Sequence, residues 1–146
     1  MQVRWNYSFS PLFSVTNGVR QGGVLSPILF TVYLDDLLSS LKSLGIGCHW
    51  DGLFVGAVSY ADDIALLAPS PSALRLMLKH CEEFAISRGL SFNASKTQLI
   101  RFGTQPSHLC PAIISFSGVS LPFTDTVVHL GHILSCLLYT SPSPRD

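Results

Sequence analysis

Asp62 and Asp63 stand between two apolar segments, residues 54–58 and 64–68, and nothing else in the chain restricts its fold as much. Residues 53–60 and 63–68 read as two strands of similar length, with Ala61-Asp62 at the turn between them, which makes a short hairpin with both carboxylates at its tip. A hairpin otherwise buried would hold those charges beside a low-dielectric core. There an uncompensated carboxylate either protonates or destabilises the fold, and a divalent cation is a compact remedy. Mg²⁺ takes hard oxygen ligands, commonly one or two carboxylates completed by water and substrate phosphates. Phosphoryl or nucleotidyl transfer is the chemistry such a pair serves, because two metals about 3.5 to 4 Å apart stabilise the attacking and leaving oxygens of an in-line displacement. The plain alternative is a solvated turn, for Asp tolerates unusual dihedrals and bonds its own backbone. Asp35-Asp36 is an internal control: the same dipeptide falls on the polar side of a helical stretch, where water can hold both charges.

The other elements follow from spacing. Val3, Trp5, Tyr7 and Phe9 alternate as in a half-covered strand, and Asn17-Gly18 marks a turn. Ser26-Pro27 opens a helix expected over 27–44, with Phe30, Leu34, Leu37, Leu38, Leu41 and Leu44 at helical intervals and Gly45 to close it. After the hairpin, Pro69 and Pro71 break the strand and Ser72 can cap a second helix, whose apolar face is Leu74, Leu78, Cys81 and Ala85 and whose end is Gly89. A loop around Asn93, a strand over 97–102, a second hairpin at Ser117-Gly118 and a last strand over 127–134 complete the series. The fold class expected is α+β, an antiparallel sheet with helices packed on one face.

A chain of 146 residues is one domain or a piece of one. With 47% hydrophobic and only 12% charged residues, disorder and fibrous repeats are excluded. So few charges coat a small domain poorly, and apolar faces that expect further neighbours follow. Nine basic and nine acidic side chains cancel, so the overall basic signature of a free-standing nucleic-acid binder is absent and polyanion contacts must be local. The acids concentrate early, five against Lys42 alone over 35–63, and the bases later, five against two acids over 75–101. Cys48, Cys81, Cys110 and Cys136 form no C-x-x-C pair, which favours a reducing compartment. His108, Cys110, His129, His132 and Cys136 match no closed zinc spacing. Neither a secretory leader nor a membrane-spanning run is expected.

Three blocks then line up in order: Gly18-Val19-Arg20-Gln21-Gly22-Gly23-Val24-Leu25-Ser26-Pro27, Tyr60-Ala61-Asp62-Asp63, and Gly89-Leu90-Ser91-Phe92-Asn93-Ala94-Ser95-Lys96-Thr97. Together they resemble the reverse transcriptase of non-LTR (LINE-type) retrotransposons, and His129-Leu130-Gly131 extends the likeness to about residue 134. The resemblance implies the palm of a right-hand polymerase over 1–134, incomplete, with 135–146 as a disordered or non-native tail. It implies an RNA-directed DNA polymerase copying retroelement RNA by Mg²⁺-dependent nucleotidyl transfer, with RNA template, DNA primer and deoxynucleoside triphosphates as partners, and nuclear action. Asp62 and Asp63 would hold the catalytic Mg²⁺. Tyr60 and Ala61 would shape the hairpin near the primer end, Gln21 and Gly22 would lie against template and nucleotide, and Lys96 would stand near the triphosphate. Arg20 would touch phosphate. The family's remaining catalytic carboxylate belongs upstream of the Gln21-Gly22 block, and the segment before Gly18 contains no Asp or Glu. Fingers and thumb also lie outside this chain, so the polypeptide alone is expected to be inactive. The competing expectation is a non-catalytic retroelement remnant that acts as a nucleic-acid-binding or interaction module.

Overall fold

The computed structural model describes residues 1–14, 22–103 and 113–136. Helix α1 (Ser26–Ser43) carries Pro27 in its first turn, where a missing N–H loses no hydrogen bond. Leu25 is its N-cap and makes no side-chain cap bond, so Ser26 is the first helical residue. Helix α2 (Pro71–Arg88) is capped by Ser70 rather than Ser72: the Ser70 hydroxyl accepts the Ala73 N–H at 3.2 Å. Pro71, suited to the first helical position, shifts the start two residues ahead of the expected one. Gly89 ends α2 in the left-handed region at φ 64°.

The two helices meet through Leu34, Leu37 and Leu41 of α1 and Met77, Leu78, Cys81 and Ala85 of α2, all buried. Each fully buried Leu or Met contributes about 1.5 to 3 kcal/mol. Polar bonds flank this seam. Arg88 donates to Asp36 at 2.7 Å, Tyr33 OH donates to the Arg88 carbonyl at 2.9 Å, and Ser40 and His80 share a 2.7 Å bond. Asp35-Asp36 thus lies on an exposed helix surface, as expected, with Asp36 tied to the second helix.

The strands among the described residues are β1 (Arg4–Trp5), β2 (Ser8–Phe9), β3 (His49–Trp50), β4 (Leu53–Phe54), β5 (Ala57–Tyr60), β6 (Asp63–Leu66), β7 (Leu99–Ile100), β8 (Ile114–Phe116), β9 (Val119–Leu121), β10 (Phe123–Thr124), β11 (Thr126–His129) and β12 (His132–Ser135). They pair as six two-stranded ladders rather than as the single antiparallel sheet expected, and β7 with β10 is parallel. The α+β class stands. The reason for the difference is in the turns: residues expected to continue a strand reverse it instead. Asn6 and Leu130 adopt φ near 50°, which folds 3–9 into β1–β2 and 127–134 into β11–β12. The strand expected over 53–60 breaks at Val55-Gly56: its first part, β4, pairs with β3 across a turn where Asp51 has φ 48°, and its second part, β5, pairs with β6. The strand expected over 97–102 is reduced to β7. Ser135 belongs to β12 and the Cys136 N–H donates to the Asp125 carbonyl at 2.8 Å. The Asn17-Gly18 turn and residues 137–146 lie outside the described residues.

A single buried cluster links the layers. Ile114, Phe116 and Leu121 from β8–β9 join Leu37, Leu41, Met77, Leu78, Cys81, Ala94 and Leu99, while Phe54, Ala57, Ile64 and Leu66 pack against its edge, half-buried. Two short backbone bridges tie the neighbouring hairpins: Cys48 N–H donates to the Leu67 carbonyl at 2.9 Å, and Leu67 N–H donates to the Gly56 carbonyl at 2.7 Å. No described helix is long and apolar enough to cross a membrane. Residues 1–14 and 22–33 contribute nothing to the buried core, which begins in α1 at Leu34.

Candidate functional site

The register of β5–β6 sets the site. Tyr60 pairs with Asp63, Ser59 with Ile64 and Ala57 with Leu66, leaving Ala61-Asp62 as a two-residue loop. Cross-strand partners share a face and successive residues alternate. Ile64, Leu66 and Ala57 pack on the core, so Asp63 and Tyr60 occupy the opposite, outer face. The expected reversal at Ala61-Asp62 is therefore present, and Ala61 carries it at φ 51°, a conformation uncommon for a residue with a Cβ.

Both carboxylates are exposed, and Tyr60 is 67% exposed beside them. This corrects one premise of the sequence argument: the tip is in water, because the hairpin leans on the core only through its inner face. Desolvation therefore does not demand a counter-ion there. Neither acid makes a hydrogen bond or ion pair within the described residues, whereas Asp36, the internal control, is occupied by Arg88. No group of three or more His, Cys, Asp or Glu able to hold a metal occurs among the described residues. The Cys136 thiol lies 3.8 Å from an Asp125 oxygen. His108 and Cys110 lie outside the described residues.

Lys96 sits at the end of a short 3-10 turn (Ala94–Lys96) within the loop expected around Asn93. Asn93 builds it: its side-chain oxygen accepts from the Lys96 N–H at 3.3 Å and from the Ser95 hydroxyl at 2.6 Å, and its carbonyl accepts from the Thr97 hydroxyl at 3.0 Å. Asn93 was thus the positioning residue missed, and its signal was an Asn directly before a short polar run. Lys96 is exposed, and its turn packs on β9. Gly22, exposed at φ 78°, precedes α1. No hydrogen bond or ion pair joins Lys96 or Gly22 to the carboxylate pair, so the structure fixes each locally without drawing them together. Gln21 and Arg20 lie outside the described residues. Of the bases over 75–101, Lys79 makes an exposed pair with Glu83 at 3.7 Å, and Arg75 donates to the Ile113 carbonyl at 3.3 Å.

Two helices against short hairpins, one of which presents adjacent open carboxylates, define an α+β protein with an oxygen-donor surface site. The reverse transcriptase (RNA-dependent DNA polymerase) family matches residues 2–134, and the chain belongs to that family. It is 36% identical over 125 residues to a retrovirus-related Pol polyprotein from the type-1 retrotransposable element R2 of Popillia japonica, covering 81% of this chain and 18% of that protein. It is 35% identical over 101 residues to the Pol polyprotein from the type-2 element R2DM of Drosophila melanogaster, covering 69% and 10%. With the RNA-directed DNA polymerase from the mobile element jockey of Drosophila funebris it shares 32% identity over 123 residues, covering 80% and 13%. The chain spans less than a fifth of the length of these relatives. The likeness to non-LTR retrotransposon polymerases expected from the three sequence blocks is thereby established. No solved structure matches the chain significantly.

Proposed function

We propose that this chain is the carboxylate-bearing palm portion of an RNA-directed DNA polymerase that copies retroelement RNA into DNA. The observation that carries the reading is the exposed Asp62-Asp63 pair at a hairpin tip in a chain matched to that family from residue 2 to 134. Two adjacent hard-oxygen donors, open to water and without partners among the described residues, fit Mg²⁺, which completes its octahedron with water and substrate phosphates. When bound, the cation supplies charge stabilisation to the attacking and leaving oxygens of an in-line displacement. Asp62 and Asp63 hold it. Tyr60, fixed opposite Asp63 on the outer face, lays an aromatic wall beside the primer end. Gln21 and Gly22 lie against template and nucleotide, the glycine allowing close backbone approach. The primer 3′ hydroxyl, giving up its proton to solvent, attacks the α-phosphate of the incoming deoxynucleotide, the bond from that phosphorus to the oxygen bridging the β-phosphate breaks, and Lys96 neutralises or protonates the departing pyrophosphate.

Residues 1–17 hold no Asp or Glu, so the third carboxylate implied by the resemblance is not among them. In our reading this polypeptide therefore does not extend a primer by itself, whereas a longer parent chain does.

Manganese titration followed by NMR tests the site directly. The amides of residues 60–64 broaden first, and Asp62→Asn with Asp63→Asn abolishes that broadening. Preferential broadening at Asp35-Asp36, or none at 60–64, overturns the metal assignment. In a parent polyprotein containing this segment, either single substitution lowers primer extension on RNA by about 10²-fold or more. Mg²⁺-dependent extension by the 146-residue chain alone overturns the expectation of inactivity.

A further inference from the structure

Four histidines fall within the described residues, and two of them are engaged. His49 Nδ1 donates to the Gly47 carbonyl at 3.2 Å and its ring meets Phe54 edge-on, while His80 shares its 2.7 Å bond with Ser40. His129 and His132 have no hydrogen bond, ion pair or ring contact among the described residues. These two stand opposite each other, because the β11–β12 register pairs His129 with His132 directly across the turn. Cross-strand partners share a face, with Cβ atoms about 4.5 to 5.5 Å apart. The turn that sets this spacing is made by Leu130 at φ 50° and Gly131 at φ 79°, both left-handed as a two-residue hairpin turn favours. The ladder behind it is anchored: Val127 is buried, the Val128 N–H donates to the Gln98 side chain at 3.4 Å, and the Cys136 N–H closes the far end on the Asp125 carbonyl. His129 is half-buried and His132 exposed, so the pair opens to solvent.

Two imidazoles without partners, held on one face of a short ladder, are nitrogen donors of intermediate softness. Such donors suit zinc, nickel and copper, whereas Mg²⁺ and Mn²⁺ prefer carboxylate and water oxygens. The acid that shares their face, Asp125, stands at the opposite end of the ladder, about 13 Å away along an extended strand, so no carboxylate turns the pair into a hard-ion site. We propose that His129 and His132 form a two-donor site for a divalent transition ion of this intermediate class, with water completing its shell. The bound ion bridges β11 and β12 beside their turn. The site is independent of the Asp62-Asp63 hairpin, whose oxygens take a different class of cation.

Nickel added to the full 146-residue chain, with paramagnetic broadening of backbone amides as the readout, tests the pair. We expect residues 129–132 to broaden first and saturably, the surroundings of His49 and His80 to stay sharp, and a large excess of Mg²⁺ to change nothing. His129→Asn and His132→Asn should each weaken binding by about 10²-fold or more, since the second imidazole acts at the high effective concentration that the turn imposes. A register variant separates the site from histidine content. His132→Asn combined with Ile133→His keeps two imidazoles but sends the second to the opposite face, and it should bind nickel no better than His132→Asn alone. Ile133 is 75% exposed, so the change leaves the core untouched and circular dichroism should show every variant as folded as its parent. Binding by the register variant equal to that of the parent overturns the site. So do broadening centred on Cys48, His108 or Cys136, displacement of nickel by Mg²⁺, and absence of saturable binding by folded protein. Loss of nickel binding leaves manganese broadening at residues 60–64 intact, and loss of that broadening leaves nickel binding intact, so the two readings fail separately.

Discussion

Ala61 concentrates the conflict between backbone and function at one residue. Its left-handed φ costs about 1 to 2 kcal/mol relative to an ordinary conformation, and glycine would remove that cost while giving back about 0.5 to 1 kcal/mol in chain entropy. Ala61→Gly is therefore expected to stabilise by up to about 1 kcal/mol and so raise the thermal midpoint slightly, and Ala61→Val, branched at Cβ, to lower it. Melts followed by circular dichroism give both signs; stabilisation by valine would show that the turn is not strained. At this scale the placement of the two acids at a turn was legible in sequence, because an apolar run interrupted by two acids leaves few places for them. Their solvation was not legible. Whether a hairpin tip is in water depends on which face meets the core, and that is fixed by β5–β6 register together with the helices behind it.

Among the elements, the helices were the most readable, since a 3.6-residue apolar period over eighteen residues averages out local exceptions. The cap of α2 was misplaced by two residues, because Ser70 and Ser72 both flank Pro71 and only the helix geometry chooses between them. Ser70→Ala should cost about 1 kcal/mol and Ser72→Ala markedly less, as read by urea denaturation. Strands were harder. Trp5, Tyr7 and Phe9 alternate in sequence, yet the chain turns at Asn6, so Trp5 pairs with Ser8 and Phe9 with Arg4 and the two rings fall on opposite faces. Close approach between hairpins was invisible in sequence as well. A Cβ on Gly56 would lie 2.6 and 2.7 Å from atoms of the Phe54 ring and 3.0 Å from the Gly47 Cα. Gly56→Ala should thus destabilise by about 1 to 3 kcal/mol through overpacking, whereas Gly118→Ala, with open space around it, acts only through its backbone. Equal losses at the two glycines would remove the packing explanation.

For the whole molecule, one buried thiol reports the integrity of the core. Cys81 lies between the helices and the β8–β9 hairpin, and burial, with the Glu82 charge beside it, pushes its pKa from the ordinary 9.0 up to about 12. The folded value exceeds the unfolded one, so the contribution is fully present below about pH 9 and is lost as pH rises toward 12. Denaturation midpoints should accordingly fall through that alkaline window and fall less in Cys81→Ala. Cys48 and Cys136, only half-buried, should react with a thiol reagent in the native protein while Cys81 does not; equal rates would mean that the core opens readily. Sequence by itself determined the family, the two helices and the acidic turn, because each is written in short-range spacing and residue chemistry. Tertiary structure alone decided that the described strands divide into six separate ladders, that Asp62 and Asp63 stand in water on the outer face, and that residues 1–14 and 22–33 stay outside the buried core. Those outcomes depend on which surfaces find a partner within the chain, and pairing between distant segments is not encoded in the period of any one of them.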